Sequence, residues 1–222
     1  MIDIKEIFDN NIDVAKNVSL WLKSGCDSAE LAGAAEYMVE MNMPMVSVVP
    51  KSVSILWPWV EKSGIKILTR FDDISVDNIS RLAIDINSVF KQGANGAQII
   101  LKLAELKRFT ESVSSVRDDL FFNKDLSIGL DIFEIWPLDW ADVFANLKKL
   151  RATSLLLILT HDDMDKSDFT GRIYSVLENW DAPDMELHVM LDESYVRAEQ
   201  VYRLVAINRP ELLNKLKFFV SY

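Results

Sequence analysis

The sequence predicts an α/β fold, a single (β/α)8 TIM-type barrel of parallel strands. Three observations carry that expectation. Residues 45–69 read as an apolar strand MVSVV, a Pro50-Lys51-Ser52 turn, a helical segment VSILWPWVEKSG, and a second apolar strand IKILT. Strand, crossover helix and returning parallel strand form the basic unit of α/β proteins. The unit then repeats until eight strand candidates alternate with helices in one polarity, and repeated crossovers of this length either wind an open sheet or close a barrel. An open doubly wound sheet more often uses about five or six strands, which favours closure. The strands are also continuously apolar. SLLLILT at 154–160 is the clearest, and continuous hydrophobicity is what a strand covered on both faces needs.

Each element follows from a local signal. Residues 3–15 read as a short N-terminal helix, with Ile4, Ile7 and Phe8 on one stripe. Strand one is 17–21, the weakest of the eight, broken by Gly25. Asp27 caps the next helix, and Glu30 three residues later completes a capping-box pattern. Strand two, 45–49, stops at Pro50, which has no ladder donor. Pro58, between Trp57 and Trp59, is expected to kink or divide the following helix. Strand three is 65–69. Asp77 is expected to cap a helix with Ile79, Leu82, Ile86 and Val89 on one face. Gly93 and Gly96 turn the chain into strand four, 97–103, and a helix is expected over 110–121. Strand five is 127–133, and Asp139 caps a helix to 150. After strand six, Asp168 caps a helix to 179. Strand seven is 186–191, a helix spans 194–208 and ends before Pro210, and strand eight is 216–220. In this form of the barrel the last helix can be absent. A loop in place of strand one or strand eight would leave the sheet open.

Bulk properties bound the rest. The chain has 222 residues, 50% of them hydrophobic, which supports one domain over 1–222 with a sizeable core. Its formal charge is −10 and its pI about 4.7, with no basic footprint for nucleic acid and no general attraction to an anionic membrane. Local cations can still draw a small anionic substrate. The single cysteine, Cys26, excludes an internal disulfide and fits a reducing compartment. No secretory start and no run of membrane-spanning length is visible, so a cytoplasmic protein is expected. No cofactor motif is present, and homo-oligomerisation is open.

Residues 28–103 resemble the deoxyribose-phosphate aldolase family of class I aldolase barrels. The parallels are the Ala-rich first helix, the strand MVSVVP with Lys51-Ser52-Val53 opening the next helix, GIKILTRF at strand three, and GANGAQIIL leading into strand four. The resemblance implies the barrel and a Schiff-base lyase, with one lysine on strand six, a second on strand seven that depresses its pKa, and an aspartate on strand four. Strands six and seven carry no lysine here, and the strand-four position falls on Gln98. The family's glycine-rich phosphate loop is replaced by Leu191-Asp192-Glu193, which would repel a phosphate. The resemblance therefore implies the fold more strongly than the standard activity.

Barrel chemistry belongs at the C-terminal strand ends. Lys51, Arg70, Asp72, Lys102, Glu105, Asp131, Glu134, His161, Asp162, Asp163, Asp192 and Glu193 all fall there. Lys102 shares a face with Gln98 and Ile100 by the two-residue period of a strand, and over a packed layer it would be desolvated into a nucleophilic amine. The alternative is that it snorkels to the rim or pairs with Asp131. His161, beside Asp162 and Asp163, is a candidate general base. With Asp131 and Asp192 it could instead hold a divalent cation, or it could be part of a plain polar loop. Asp131 with Glu134 could divide acid and base roles if strand five ends early enough. The segment 168–172 could receive an anion at a helix start, or Arg172 could lie on a solvated face. Three functional classes follow: an aldolase-like lyase using Lys102, Asp131 and His161 on a small carbonyl compound; a metal-dependent hydrolase or lyase; and a catalytically inactive barrel acting as a structural or regulatory partner.

Overall fold

The first and last strands decide whether the sheet closes, and they pair. The computed structural model describes residues 12–72, 74, 76–159, 166–191 and 195–222. After a short helix α1 (Ile12–Ala15), strand β1 (Val18–Trp21) lies parallel to β2 (Met45–Val48) on one side and to β8 (Leu216–Ser221) on the other. Between them run β3 (Lys66–Phe71), β4 (Gly96–Leu101), β5 (Asp125–Asp131), β6 (Ser154–Leu159) and β7 (Glu186–Leu191), all parallel, in sequence order around a closed barrel.

Helices cover the outside: α2 (Ser28–Glu40), α3 (Val53–Val60), α4 (Ile79–Lys91), α5 (Leu103–Val113), α6 (Arg117–Leu120), α7 (Trp140–Leu150), α8 (Lys166–Glu178) and α9 (Tyr195–Asn208). In β6, Leu155, Leu157 and Leu159 face this shell and Leu156 faces the bore, all fully buried. Each such leucine stabilises the fold by roughly 2 kcal/mol relative to exposure. The bore is packed by Met45, Leu68, Leu156, Met190 and Phe219, with Trp21, Ile100 and Ile158 against them. It is a second core, not a channel.

Several elements differ from expectation, each for a local reason. The Asp27–Glu30 capping box forms as read. Asp77, by contrast, lies within a 3-10 turn and pairs with Arg108, while the cap of α4 is Asn78, whose carboxamide oxygen accepts from Arg81 N at 3.3 Å. Strand four ends at Leu101, and α5 begins at Leu103 rather than near 110, because Glu134 reaches from the loop after β5 to accept from Leu103 N at 3.0 Å. Strand five ends at Asp131, followed by a 3-10 turn (Ile132–Glu134). Pro58 does not divide α3, which runs through it and ends two residues later. Helix α8 already includes residue 168, so Asp168 is not its cap. Trp57 is half-buried against Gly93, whose φ of 111° ends the turn after α4. A Cβ at Gly93 would fall 2.4 Å from the indole.

Candidate functional site

At the C-terminal strand ends, a cleft of about 400 Å³ opens between the ends of β3, β4, β5 and β6. Its floor is Ile100 and Ile158. Asp72, Lys102, Asp131 and Glu134 stand around it. Lys102 takes the residue between β4 and α5, with extended backbone at the helix N-cap position, and its side chain is exposed. Burial is the usual means of neutralising a catalytic amine; Lys102 stands at the rim instead of being sunk over the packed bore. Asp131 is half-buried at the last position of β5, and its carboxylate accepts from Phe133 N at 2.8 Å, which ties the 3-10 turn to the strand. Asp131 and Glu134 thus share a cleft, each fastened to a backbone N–H, with Glu134 at the favourable positive end of α5.

Beneath the cleft, the bore is held by a polar lock. Arg70 points inward from β3 and is 4% exposed. Its Nε donates to Asp72 at 3.1 Å, Nη1 to Ser47 Oγ at 3.3 Å and Nη2 to the Leu22 carbonyl at 3.1 Å, while the guanidinium lies 4.1 Å from the Trp21 ring centroid. Burial lowers the Arg70 pKa against the opposing pull of Asp72. Ser47 Oγ in turn donates to Gln98 Oε1 at 2.5 Å. The position that resembles the aldolase aspartate is therefore a neutral amide bound to a serine. The inward positions of β6 and β7 hold Leu156, Ile158, His188 and Met190, with no lysine.

Of the sequence candidates, Lys102 and Asp131 line one cleft. His161, Asp162, Asp163, Asp192 and Glu193 lie outside the described residues. Arg172 donates to the Ile135 carbonyl at 2.9 Å and sits near the rings of Phe133 and Trp136, a structural post beside the mouth. Cys26 is half-buried. Among the described residues, no three His, Cys, Asp or Glu side chains are placed to hold a metal ion, and no helix is long and apolar enough to cross a membrane.

A polar group that the sequence reading missed lies at the opposite, N-terminal end. Lys66, Asp125, Ser154 and Glu186 begin β3, β5, β6 and β7 and turn inward with His188 around a cavity of about 140 Å³. A charged or polar residue opens each of these four strands, but only the closed sheet shows that the four face one another across the bore.

No family model matches the chain, and no curated protein matches it. Solved structures do. The deoxyribose phosphate aldolase from Aeropyrum pernix superposes with a TM-score of 0.68 at 11% identity, covering 89% of this chain and 88% of that one. QR15, an aldolase, gives 0.73 at 11% identity, with 95% and 92% covered. A truncated 3-deoxy-D-arabino-heptulosonate 7-phosphate synthase from Thermotoga maritima gives 0.56 at 12% identity, with 92% and 74% covered. At these identities the likeness is one of architecture: this chain is a closed (β/α)8 barrel with the fold of the deoxyribose-phosphate aldolases.

Proposed function

We propose that the chain is an aldolase-like lyase acting on a small carbonyl compound in the mouth cleft. Lys102 Nζ adds to the substrate carbonyl carbon, and water leaves as the imine forms. The protonated imine then draws in the electron pair of the Cα–Cβ bond as that bond breaks, giving the enamine, while Asp131 takes the proton of the β-hydroxyl and an aldehyde departs. The remaining enamine is protonated, and water hydrolyses the imine to restore the amine. The observation that carries this reading is that Lys102 and Asp131 line one cleft with an apolar floor, at the end of the barrel where such folds hold their chemistry. The test is borohydride reduction with glyceraldehyde or acetaldehyde, followed by peptide mapping. A reduced adduct on Lys102, lost in Lys102→Arg, supports the reading. Adducts spread evenly over the surface lysines, or none, would sink it.

A second reading is favoured by other observations: a barrel without catalysis that serves as a binding partner. Strands β6 and β7 offer no inward lysine, Lys102 is exposed, and Trp136 and Leu138 stand uncovered beside the mouth, Leu138 at 94% exposure. Uncovered apolar side chains of this kind mark interaction surfaces. A metal-assisted reaction would rest on His161, Asp131 and Asp192, of which only Asp131 lies among the described residues, and draws no support from them. The Aeropyrum pernix aldolase is described as tetrameric. We carry a homo-oligomer here as a proposal that sedimentation of the purified chain tests: a species larger than 25.4 kDa supports it and a monomer overturns it.

A further inference from the structure

The mouth cleft carries a charge pattern that selects among carbonyl compounds. Four carboxylates, Asp72, Glu105, Asp131 and Glu134, line it against one ammonium, Lys102. The floor between them is the apolar pair Ile100 and Ile158. A phosphate ester is ordinarily held by arginine forks, by lysines or by backbone N–H groups at a helix start. Here the backbone positions are already filled by the chain's own carboxylates. Glu134 accepts from Leu103 N, at the start of α5, at 3.0 Å, and Asp131 accepts from Phe133 N at 2.8 Å.

The guanidinium groups near the strand ends are committed as well. Arg70 is buried and donates to Asp72, Ser47 and the Leu22 carbonyl, and Arg172 donates to the Ile135 carbonyl. Neither Arg172 nor Lys51 lines the cleft. In the sequence, the stretches 160–165 and 192–194 after β6 and β7 contain no lysine or arginine. Lys102 itself must shed its proton before the amine can add to a carbonyl, which leaves the cleft lining without a cation at that step. A phosphate dianion would then meet carboxylates alone, whereas hydroxyl groups can donate to them and a short carbon chain can lie on the isoleucine floor. We propose that the substrate of this cleft is an uncharged aldol, a small 3-hydroxy aldehyde or ketone without phosphate or carboxylate, and that Asp72 and Glu105 enforce the choice by repulsion. This substrate class rests on the lyase reading of the same cleft.

The experiment uses glyceraldehyde and glyceraldehyde 3-phosphate, which differ only in the phosphate. The intact chain is treated with each in the presence of cyanoborohydride, and adducts are quantified by peptide mapping. Exposed Lys62 serves as the internal reference for the intrinsic reactivity of each aldehyde. The expected result is that glyceraldehyde labels Lys102 in preference to Lys62, and that the phosphate lowers the ratio of the two adducts about tenfold or more. Asp72→Asn and Glu105→Gln each remove one negative charge at nearly constant shape, and each should restore labelling by the phosphorylated aldehyde several-fold. Melting curves identify a variant that has not folded, and the other then carries the test. Preference for Lys102 that is equal for the two aldehydes would overturn the substrate class and leave the lyase reading standing. No preference for Lys102 with either aldehyde would overturn both. A ratio unchanged in the folded variants would overturn the part assigned to Asp72 and Glu105.

Discussion

Glu186 takes its properties from three neighbours. The hydrogen bond from His188 holds its carboxyl below the ordinary value of 4.5; burial opposes this, and the positive charges of Lys66 and Lys217 assist it. A carboxyl with a lowered folded-state pKa contributes stability above its unfolded value and loses it as pH falls through the folded one. Wild type should therefore lose melting temperature more steeply than Glu186→Gln as pH is lowered from 4.5 through the lower folded-state value. Parallel curves would show that Glu186 is not linked to folding. Lys66 works in the opposite range. Burial pulls its ammonium down, but the hydrogen bond and charge of Asp125, with the charge of Glu186, outweigh it and leave the pKa above 10.5. Its contribution is complete below 10.5 and fades as pH rises through the folded value. None of this was legible from the sequence, because Lys66 and Glu186 are far apart in the chain and only closure of the barrel brings them together. Lys102 shows the same limit in reverse. Its residue type and position suggested an amine over a packed layer, yet one residue of strand length decides between the bore and the rim.

At the scale of elements, local chemistry was legible and borrowed chemistry was not. The Asp27–Glu30 box involves side chains three residues apart, and both reciprocal bonds form, with Asp27 Oδ1 2.8 and 2.9 Å from the N–H groups of Ala29 and Glu30. Asp27→Ala should cost about 1 kcal/mol by chemical denaturation, and a change of only a few tenths would show that α2 does not depend on its cap. The start of α5 was misplaced because its cap, Glu134, comes from 31 residues away. Leu103 is apolar and follows an apolar strand, so nothing nearby in sequence stops the strand at Leu101. Gly96 sets another element boundary. An added Cβ there would lie 2.6 Å from the Asp125 carbonyl oxygen and 2.9 Å from Leu68 Cδ2, so Gly96→Val must push β4 and β5 apart. A loss of about 1–3 kcal/mol is expected. Unchanged stability would mean that the two strand starts are not held at this spacing.

The whole molecule depends on one junction. Strand β1 is short and weak by sequence, and β8 follows α9 through a 3-10 turn (Pro210–Lys215). They nonetheless pair over four residues, and Trp21 packs edge-on against Phe219 inside the bore at 6.1 Å. The repeated strand–helix units made eight strands legible, and their continuous hydrophobicity made burial on both faces legible. The polar lining of the bore, Arg70, Gln98 and His188 included, was not, because inward and outward residues cannot be told apart in a strand that is apolar on both sides. The β4–β5 pairing brings Lys102 and Asp131 to one mouth, while closure sets Lys66 of β3 across the bore from Glu186 and His188 of β7. The most direct test is native-state hydrogen exchange at the Phe218 amide, which donates across the junction to the Asn17 carbonyl at 2.8 Å. The account predicts protection of the same order as for the amides shared by β4 and β5. Exchange of Phe218 at the rate of an open chain, while β4 and β5 remain protected, would show the sheet to be open and would take Lys66 away from Glu186.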